Sequence, residues 1–264
     1  MTQAVRAYME NLARDRLRDD LRVTETGRVV GSFMRCEIGS VFQPVARLAD
    51  AMVTGVQALA RVHAEDGALL YPWNLFSQAA SGEDLVLLDR RCRIVHALNF
   101  FRVSAEAVPA LDLLLSVHPR LMTVVSADHG RAFRRVLDSL QIASRQVAIV
   151  LPPVAPDTLD IQCQVAASYR LNGFRVAVSG EQPAPLQALL ARQPADMVRL
   201  DAHRLGAAWH PVLALAQDSG AEVRATRVED AAQRVRALQL GATHWQGWHL
   251  AHPALDPPTQ AQAA

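Results

Sequence analysis

A chain of 264 residues, half of them hydrophobic, is long enough to bury the core of one large α/β domain or two small ones. Its formal net charge of +1, with arginines spread along the chain, gives no bulk attraction to nucleic acid or to an anionic membrane. Three distant cysteines (Cys36, Cys92, Cys163), no signal-peptide core and no apolar run of the roughly 18 residues needed to span a bilayer lead to the expectation of a soluble, cytoplasmic protein with reduced thiols.

In chain order, Val5, Tyr8, Met9, Leu12 and Leu21 form a loose apolar stripe and predict a helix over Val5 to Leu21. A turn at Thr26-Gly27 precedes a strand from Val29 to Glu37, which leads into a second from Ser40 to Val45. Asp50-Ala51 then separates that strand from Val53 to Arg61. So short a link joins antiparallel neighbours, because a parallel crossover needs a dozen or more residues.

Beyond this hairpin, helices and strands alternate. Helices are expected at Asp84 to Phe101, Arg131 to Leu140, from an Asp157 cap to Leu171, at Leu186 to Arg192, Ala207 to Gln217 and Val228 to Leu240. Strands are expected at Leu111 to Val117, Gln146 to Leu151, Phe174 to Val178, Met197 to Leu200, Glu222 to Ala225 and Thr243 to Gln246. The alternation predicts an α/β fold, a (β/α)₈ barrel with one antiparallel strand behind an N-terminal helix. The expected divisions are an extension over 1–39, a barrel over 40–254 and a flexible tail over 255–264. Reacting groups in such a barrel sit where strands end, here Arg61, His118, Val150-Leu151, Ser179-Gly180, Arg199 to Asp201, Thr226 and Gln246. A pair of hard cations needs several converging carboxylates, and this rim offers almost none.

Phe42-Gln43-Pro44 followed by Gln57-Ala58-Leu59-Ala60-Arg61 resembles the opening of the EAL domain, the family of bacterial cyclic di-GMP phosphodiesterases, over roughly residues 40 to 254. Gln43, Leu59 and Arg61 match the family's residues, while Gln57 stands for the Glu of the signature. By the same resemblance, His118 replaces a metal-site Asn and Val150 a Glu. Ser179 and Gly180 replace a pair of Asp, and Arg199 replaces the catalytic Lys. Thr226 takes the first Glu of Ala-Glu-Gly-Val-Glu, and Glu229 matches the second. The closing Gln-Gly is intact as Gln246-Gly247, with Pro253 at the family's spacing. The family loop that follows the Asp pair is here Gln182-Pro183-Ala184-Pro185, which two prolines stiffen, so the usual family dimer is in doubt.

The resemblance implies a degenerate EAL domain, a pseudoenzyme with no catalytic residues and no divalent metal cofactor. It further implies a signalling role as a cyclic di-GMP receptor that relays occupancy to a protein partner, with neither nucleic acid nor membrane as partner. Gln43, Leu59, Arg61, Asp201, Glu229, Gln246 and Pro253 are the expected ligand contacts. A guanidinium cannot serve as a base near neutral pH, so Arg199 does not do the work of a lysine. Two uses of Arg61 stand open: a bidentate grip on a phosphate, or an ion pair with Asp201 or Glu229 inside the mouth. The alternatives to a receptor are a nucleotide-free interaction module on the same barrel and a residual phosphodiesterase. Trp73 and Trp248 are left open as stacking surfaces, Trp245 is assigned to the core, and His118 to a hydrogen-bonded rim or core position in preference to a metal site with His63 or His244.

Overall fold

The computed structural model describes residues 1–14, 20–103, 111–124 and 129–258. Helix α1 (Gln3–Arg14) leads to strands β1 (Leu21–Val23), β2 (Val29–Phe33), β3 (Cys36–Arg47), β4 (Val53–Ala64) and β5 (Leu69–Leu70). Helices α2 (Pro72–Gln78) and α3 (Gly82–Phe101), strand β6 (Asp112–Ser116) and helices α4 (Leu121–Val124) and α5 (Arg131–Ser139) follow. Then come β7 (Val147–Val150), α6 (Leu159–Leu171), β8 (Arg175–Ser179), α7 (Pro183–Arg192) and β9 (Met197–Asp201). The chain continues through α8 (His210–Asp218), β10 (Glu222–Thr226), α9 (Ala231–Gln239) and β11 (His244–Trp245).

Strands β4, β6, β7, β8, β9, β10 and β11 run parallel, and β3 closes the ring by pairing antiparallel with both β4 and β11. The result is a closed eight-stranded barrel with one antiparallel strand, and β1, β2 and β5 lie outside the ring. Period-two alternation divides each strand between two cores. One face (Leu113, Leu115, Ile149, Val176, Val178, Val198) packs against the helices in the main cluster. The other turns Leu114, Ala148, Val150, Ala177 and Met197 into the lumen as a separate cluster. Each fully buried Val or Leu contributes about 1.5–3 kcal/mol, so this two-sided burial holds the barrel.

Several expected boundaries move, each for a local reason. Leu21 is not on the first helix: α1 ends by Arg14 and Leu21 pairs with Gly31 in β1, while residues 15–19 lie outside the described residues. The expected strand from Val29 to Glu37 breaks at Met34 and Arg35, both at positive φ, so Cys36 and Glu37 already belong to β3. Pro183 and Pro185 sit in the first turn of α7, where a missing N–H costs nothing, rather than in a stiff loop. Helix α6 starts at Leu159 after a short 3₁₀ turn, so Asp157 does not cap it. Helix α3 opens two residues earlier than expected, because Ser81 Oγ accepts from the Asp84 amide at 3.0 Å and the Asp84 carboxylate accepts from the Ser81 amide at 3.2 Å. After β11 the chain returns over β3, where Phe42 and Ala254 exchange both backbone hydrogen bonds, and Asp256 is paired with Arg28 at 2.8 Å.

Candidate functional site

The lumen face of the barrel carries its polar groups in two layers. At the N-terminal ends of the strands, Arg175 pairs with Asp112 and with Glu222 at 2.6 Å. Arg224, only 1% exposed, binds Glu222 through Nε at 3.0 Å and lies 3.6 Å from Asp112. Burial works against the Glu222 carboxylate, but Arg224, His244 and Arg175 together hold it below the ordinary value. Two arginines thus meet two carboxylates, and this end is neutralised.

The C-terminal ends are built differently. Gln57 Oε1 accepts from Arg199 Nη2 at 2.8 Å and from Gln246 Nε2 at 2.9 Å, and Gln57 Nε2 donates to Ser116 Oγ at 3.1 Å. Gln246 Nε2 also reaches Gln43 Oε1 at 2.8 Å, and Gln43 donates to the Ala251 carbonyl at 3.4 Å. Local structure fixes this network. Gln43 and Gln57 are register partners across β3 and β4, and Arg199 follows Met197 by two on the lumen face of β9. Gln246 is pinned through its own backbone, its N–H on Ala225 and its carbonyl accepting from Val228. A Cβ on Gly247 would lie 2.0 Å from the Val228 carbonyl oxygen, so only glycine allows that crossing.

No carboxylate pairs with Arg199 among the described residues, and its Nε is buried without a hydrogen-bond partner. Burial, and then the positive charge of Arg224 on the neighbouring strand, pull its guanidinium down to about 10; it is still charged near neutral pH. Arg199 lines a cavity of about 420 Å³ together with Ser179, Glu181, Asp201, Arg204 and Arg227. Three guanidinium groups there face two carboxylates, which leaves one positive charge. Asp201 holds Arg227 at 2.9 Å, lies 4.0 Å from Arg204 and accepts from the His203 amide at 3.0 Å. Two further cavities share walls with this one. The first, of about 330 Å³, shares Ser116 and Pro119 and is lined by Leu59, Trp73, Phe76 and His118. The second, of about 380 Å³, shares Pro119, Pro152 and Glu181.

The expected site residues therefore separate into groups. Gln43, Gln57, Gln246 and Arg199 form one network. Asp201 and Glu229 meet at the rim only through His203, whose Nε2 is 3.6 Å from Glu229. Arg61 is exposed on β4 and pairs with neither Asp201 nor Glu229. Pro253 lies on the returning segment, next to Ala254, which pairs with Phe42. His118 falls beyond the end of β6; it stacks on Phe76 at 4.6 Å, and its Nδ1 accepts from the Arg120 amide at 3.3 Å. The β6 group that enters the network is Ser116, two residues earlier, which strand alternation would have indicated. The Thr226 hydroxyl donates to the Leu200 carbonyl, and that of Ser179 to the Leu151 carbonyl. Trp245 is buried as expected, while Trp73 is 63% exposed and stacks on Tyr71 at 4.2 Å.

A pair of hard divalent cations wants several free anionic oxygens. Asp201 is engaged by arginine, Glu181 stands 3.5 Å from Arg204, and the Gln57 oxygen already accepts two hydrogen bonds. A Cβ on Gly180 would sit 3.0 Å from Leu186 Cβ and 3.2 Å from the Gln182 carbonyl, so a larger side chain is crowded there. Among the described residues no three His, Cys, Asp or Glu side chains gather. The residues present do not fit such a pair. Among the described residues, too, no helix is long and apolar enough to cross a membrane.

The family model described as the EAL domain matches residues 28–253. Among solved structures, the PaMucR phosphodiesterase in its c-di-GMP complex is similar to this chain, with a TM-score of 0.69 and 17% identity over 82% of this chain and 92% of that one. A standalone versatile EAL protein from Vibrio cholerae O395, in c-di-GMP-bound form, gives a TM-score of 0.66 and 17% identity over 88% of this chain and 99% of that one. The YkuI protein of Bacillus subtilis, with an EAL domain and in complex with c-di-GMP and calcium, gives 0.66 and 19% identity, and this chain spans 83% of itself but 56% of that protein. No curated protein matches the chain in sequence.

Proposed function

Because this chain belongs to the EAL domain family, we propose that it is a non-catalytic receptor which binds cyclic di-GMP without a metal and relays its occupancy to a protein partner. One observation carries the reading: Arg199 stands at the centre of the mouth, held by amide oxygens alone. A cation kept in a protein mouth without an anion is a standing demand for one, since its Coulomb energy is uncompensated and its hydrogen-bonding capacity is unfilled. The 420 Å³ mouth is flanked by the two side cavities, an arrangement suited to a ligand with charged groups in the middle and flat rings at either end. The solved relatives that hold c-di-GMP make that ligand the first to test.

Hydrolysis is not part of the proposal. Attack on a phosphodiester near neutral pH needs a hydroxide activated by metal or an equivalent base. Arg199 supplies neither, since it stays protonated with a guanidinium at about 10.

The test is a calorimetric titration with cyclic di-GMP in excess chelator, beside a hydrolysis assay with Mg²⁺ or Mn²⁺. Saturable binding of one ligand per chain without turnover is expected. Turnover in the presence of metal would make the chain an enzyme. No binding with or without metal would leave an interaction module that has lost the nucleotide.

A further inference from the structure

The segment Thr226-Arg227-Val228 leaves the end of β10 through a residue at φ +58°, a left-handed conformation that favours glycine or asparagine. The path itself is set by its neighbours. Val228 donates to the Gln246 carbonyl, its own carbonyl accepts from His249, and Gly247 passes against its backbone. Those contacts account for the conformation but not for the arginine that adopts it. Arg227 lines the same cavity as Arg199, and its side chain is 64% exposed. Register places Thr226 opposite Asp201, so Arg227 stands just past the strand ends, beyond the lumen layer that carries Arg199.

Its only ion-pair partner among the described residues is Asp201, which Arg204 also approaches. Arg204 also has Glu181 at 3.5 Å, so the two rim guanidinium groups share two carboxylates, and the Arg227 pair, largely open to water, is one a phosphate can displace. Arg227 is thus a strained, exposed cation at the rim, and Arg199 an uncompensated one at the floor.

We infer that Arg227 is a phosphate-gripping residue: an incoming phosphate ester takes it from Asp201 and is held between the rim and floor guanidinium groups. The inference rests on the receptor reading for the identity of the ligand, but not for the chemistry of the cradle. Oxygens of a phosphodiester or pyrophosphate match the parallel N–H donors of arginine, and two such forks approaching from different sides hold one phosphate without a metal. The left-handed strain at position 227 then persists because the side chain is needed where that backbone puts it.

The decisive variant is Arg227→Gly, since glycine adopts the same φ without strain. Titration with cyclic di-GMP in excess chelator is read beside the thermal midpoint, for this variant, for Arg227→Lys and for the native chain. Expected are an affinity loss of at least about tenfold in Arg227→Gly, a smaller loss in Arg227→Lys, and a midpoint unchanged or raised by about 2 °C in Arg227→Gly. Unchanged affinity in Arg227→Gly, or a fall in the midpoint that matches the fall in affinity, would overturn the inference and leave Arg227 a structural rim residue. If the native chain ignores cyclic di-GMP, the receptor reading fails by itself, and sodium pyrophosphate becomes the probe. A midpoint raised by pyrophosphate in the native chain but not in Arg227→Gly supports the cradle, and no difference between the two overturns it.

Discussion

Arg224 and Arg199 are register partners on the neighbouring strands β10 and β9, yet the barrel treats them in opposite ways: one reaches carboxylates at the strand starts, the other amides toward the strand ends. Around Arg224 the strand starts supply Glu222 and Asp112, with Arg175 completing a balanced set. Around Arg199 the strand ends supply Gln57 and Gln246, which satisfy geometry and leave charge untouched. A buried cation with its own anions is a structural element, whereas one solvated by amides is available to a ligand. Burial, and then the charge of Arg224 on the neighbouring strand, pull the Arg199 guanidinium down, as expected of two cations side by side in one low-dielectric lumen.

The comparison breaks most visibly if each end loses its key group. Glu222→Ala leaves Arg224 at 1% exposure with only Asp112 at 3.6 Å, and removing one partner of a buried pair costs about 3–5 kcal/mol. Arg199→Gln removes a cation that had no anion, so its stability stays within about 1 kcal/mol of the native chain. Urea denaturation of both variants measures the contrast. Equal losses would mean that Arg199 is as structural as Arg224.

A second variant sharpens the comparison by making the mouth resemble the base. Gln57→Glu places a carboxylate where Arg199 now donates at 2.8 Å, and the pair it forms cancels the free charge. Affinity for cyclic di-GMP should fall at least about tenfold, equivalent to about 1.4 kcal/mol. No turnover should appear with Mg²⁺ or Mn²⁺, because a single new carboxylate tied to arginine is a poor ligand for a hard cation. Undiminished affinity would show that Arg199 does not provide the attraction, and turnover would show that other ligands reach the mouth.

Strand alternation made much of this legible. The strand ends put Arg199, Thr226 and Gln246 at the rim from sequence alone, because parallel strands end together, while Gln57 came from the resemblance. The same rule, applied to the strand starts, would have exposed Asp112, Arg175, Glu222, Arg224 and His244 as an inward-facing set. Other features depend on contacts distant in sequence. Ser116 was passed over for His118 because the end of β6 is fixed by its pairing with β7, up to Ser116 opposite Val150. Arg227 carries no local mark, since its backbone is set by Gln246 and Gly247, about twenty residues on. The break at Met34-Arg35 likewise needs the β2–β3 register, in which Phe33 pairs with Cys36. Whether Arg61 pairs with Asp201 or stays free is a competition among arginines, which Arg204 and Arg227 win by standing closer.

Acid separates the ends once more, by the smallest effect. His96, buried in the wall between β3 and α3 with Nδ1 2.7 Å from Ser40 Oγ, is pushed by burial down to about 4. His244 at the base is lowered as well, by burial first and then by Arg224, against the pull of Glu222. Both are neutral in the folded protein, while the unfolded chain protonates near the ordinary value of about 6.5. The unfolded state therefore binds more protons below that value. Stability contributed by these histidines is complete above about pH 6.5 and is lost as pH falls toward the folded value, about 4 for His96. Between about pH 7 and about pH 5.5 the loss from His96 alone is about 1 kcal/mol. The mouth behaves otherwise, because the Arg199 guanidinium, at about 10, keeps its charge throughout this range. Urea denaturation at the two pH values should show the native chain weakening while its affinity for cyclic di-GMP holds. An affinity that falls in step with stability would mean that the ligand depends on a neutral histidine rather than on the arginines of the mouth.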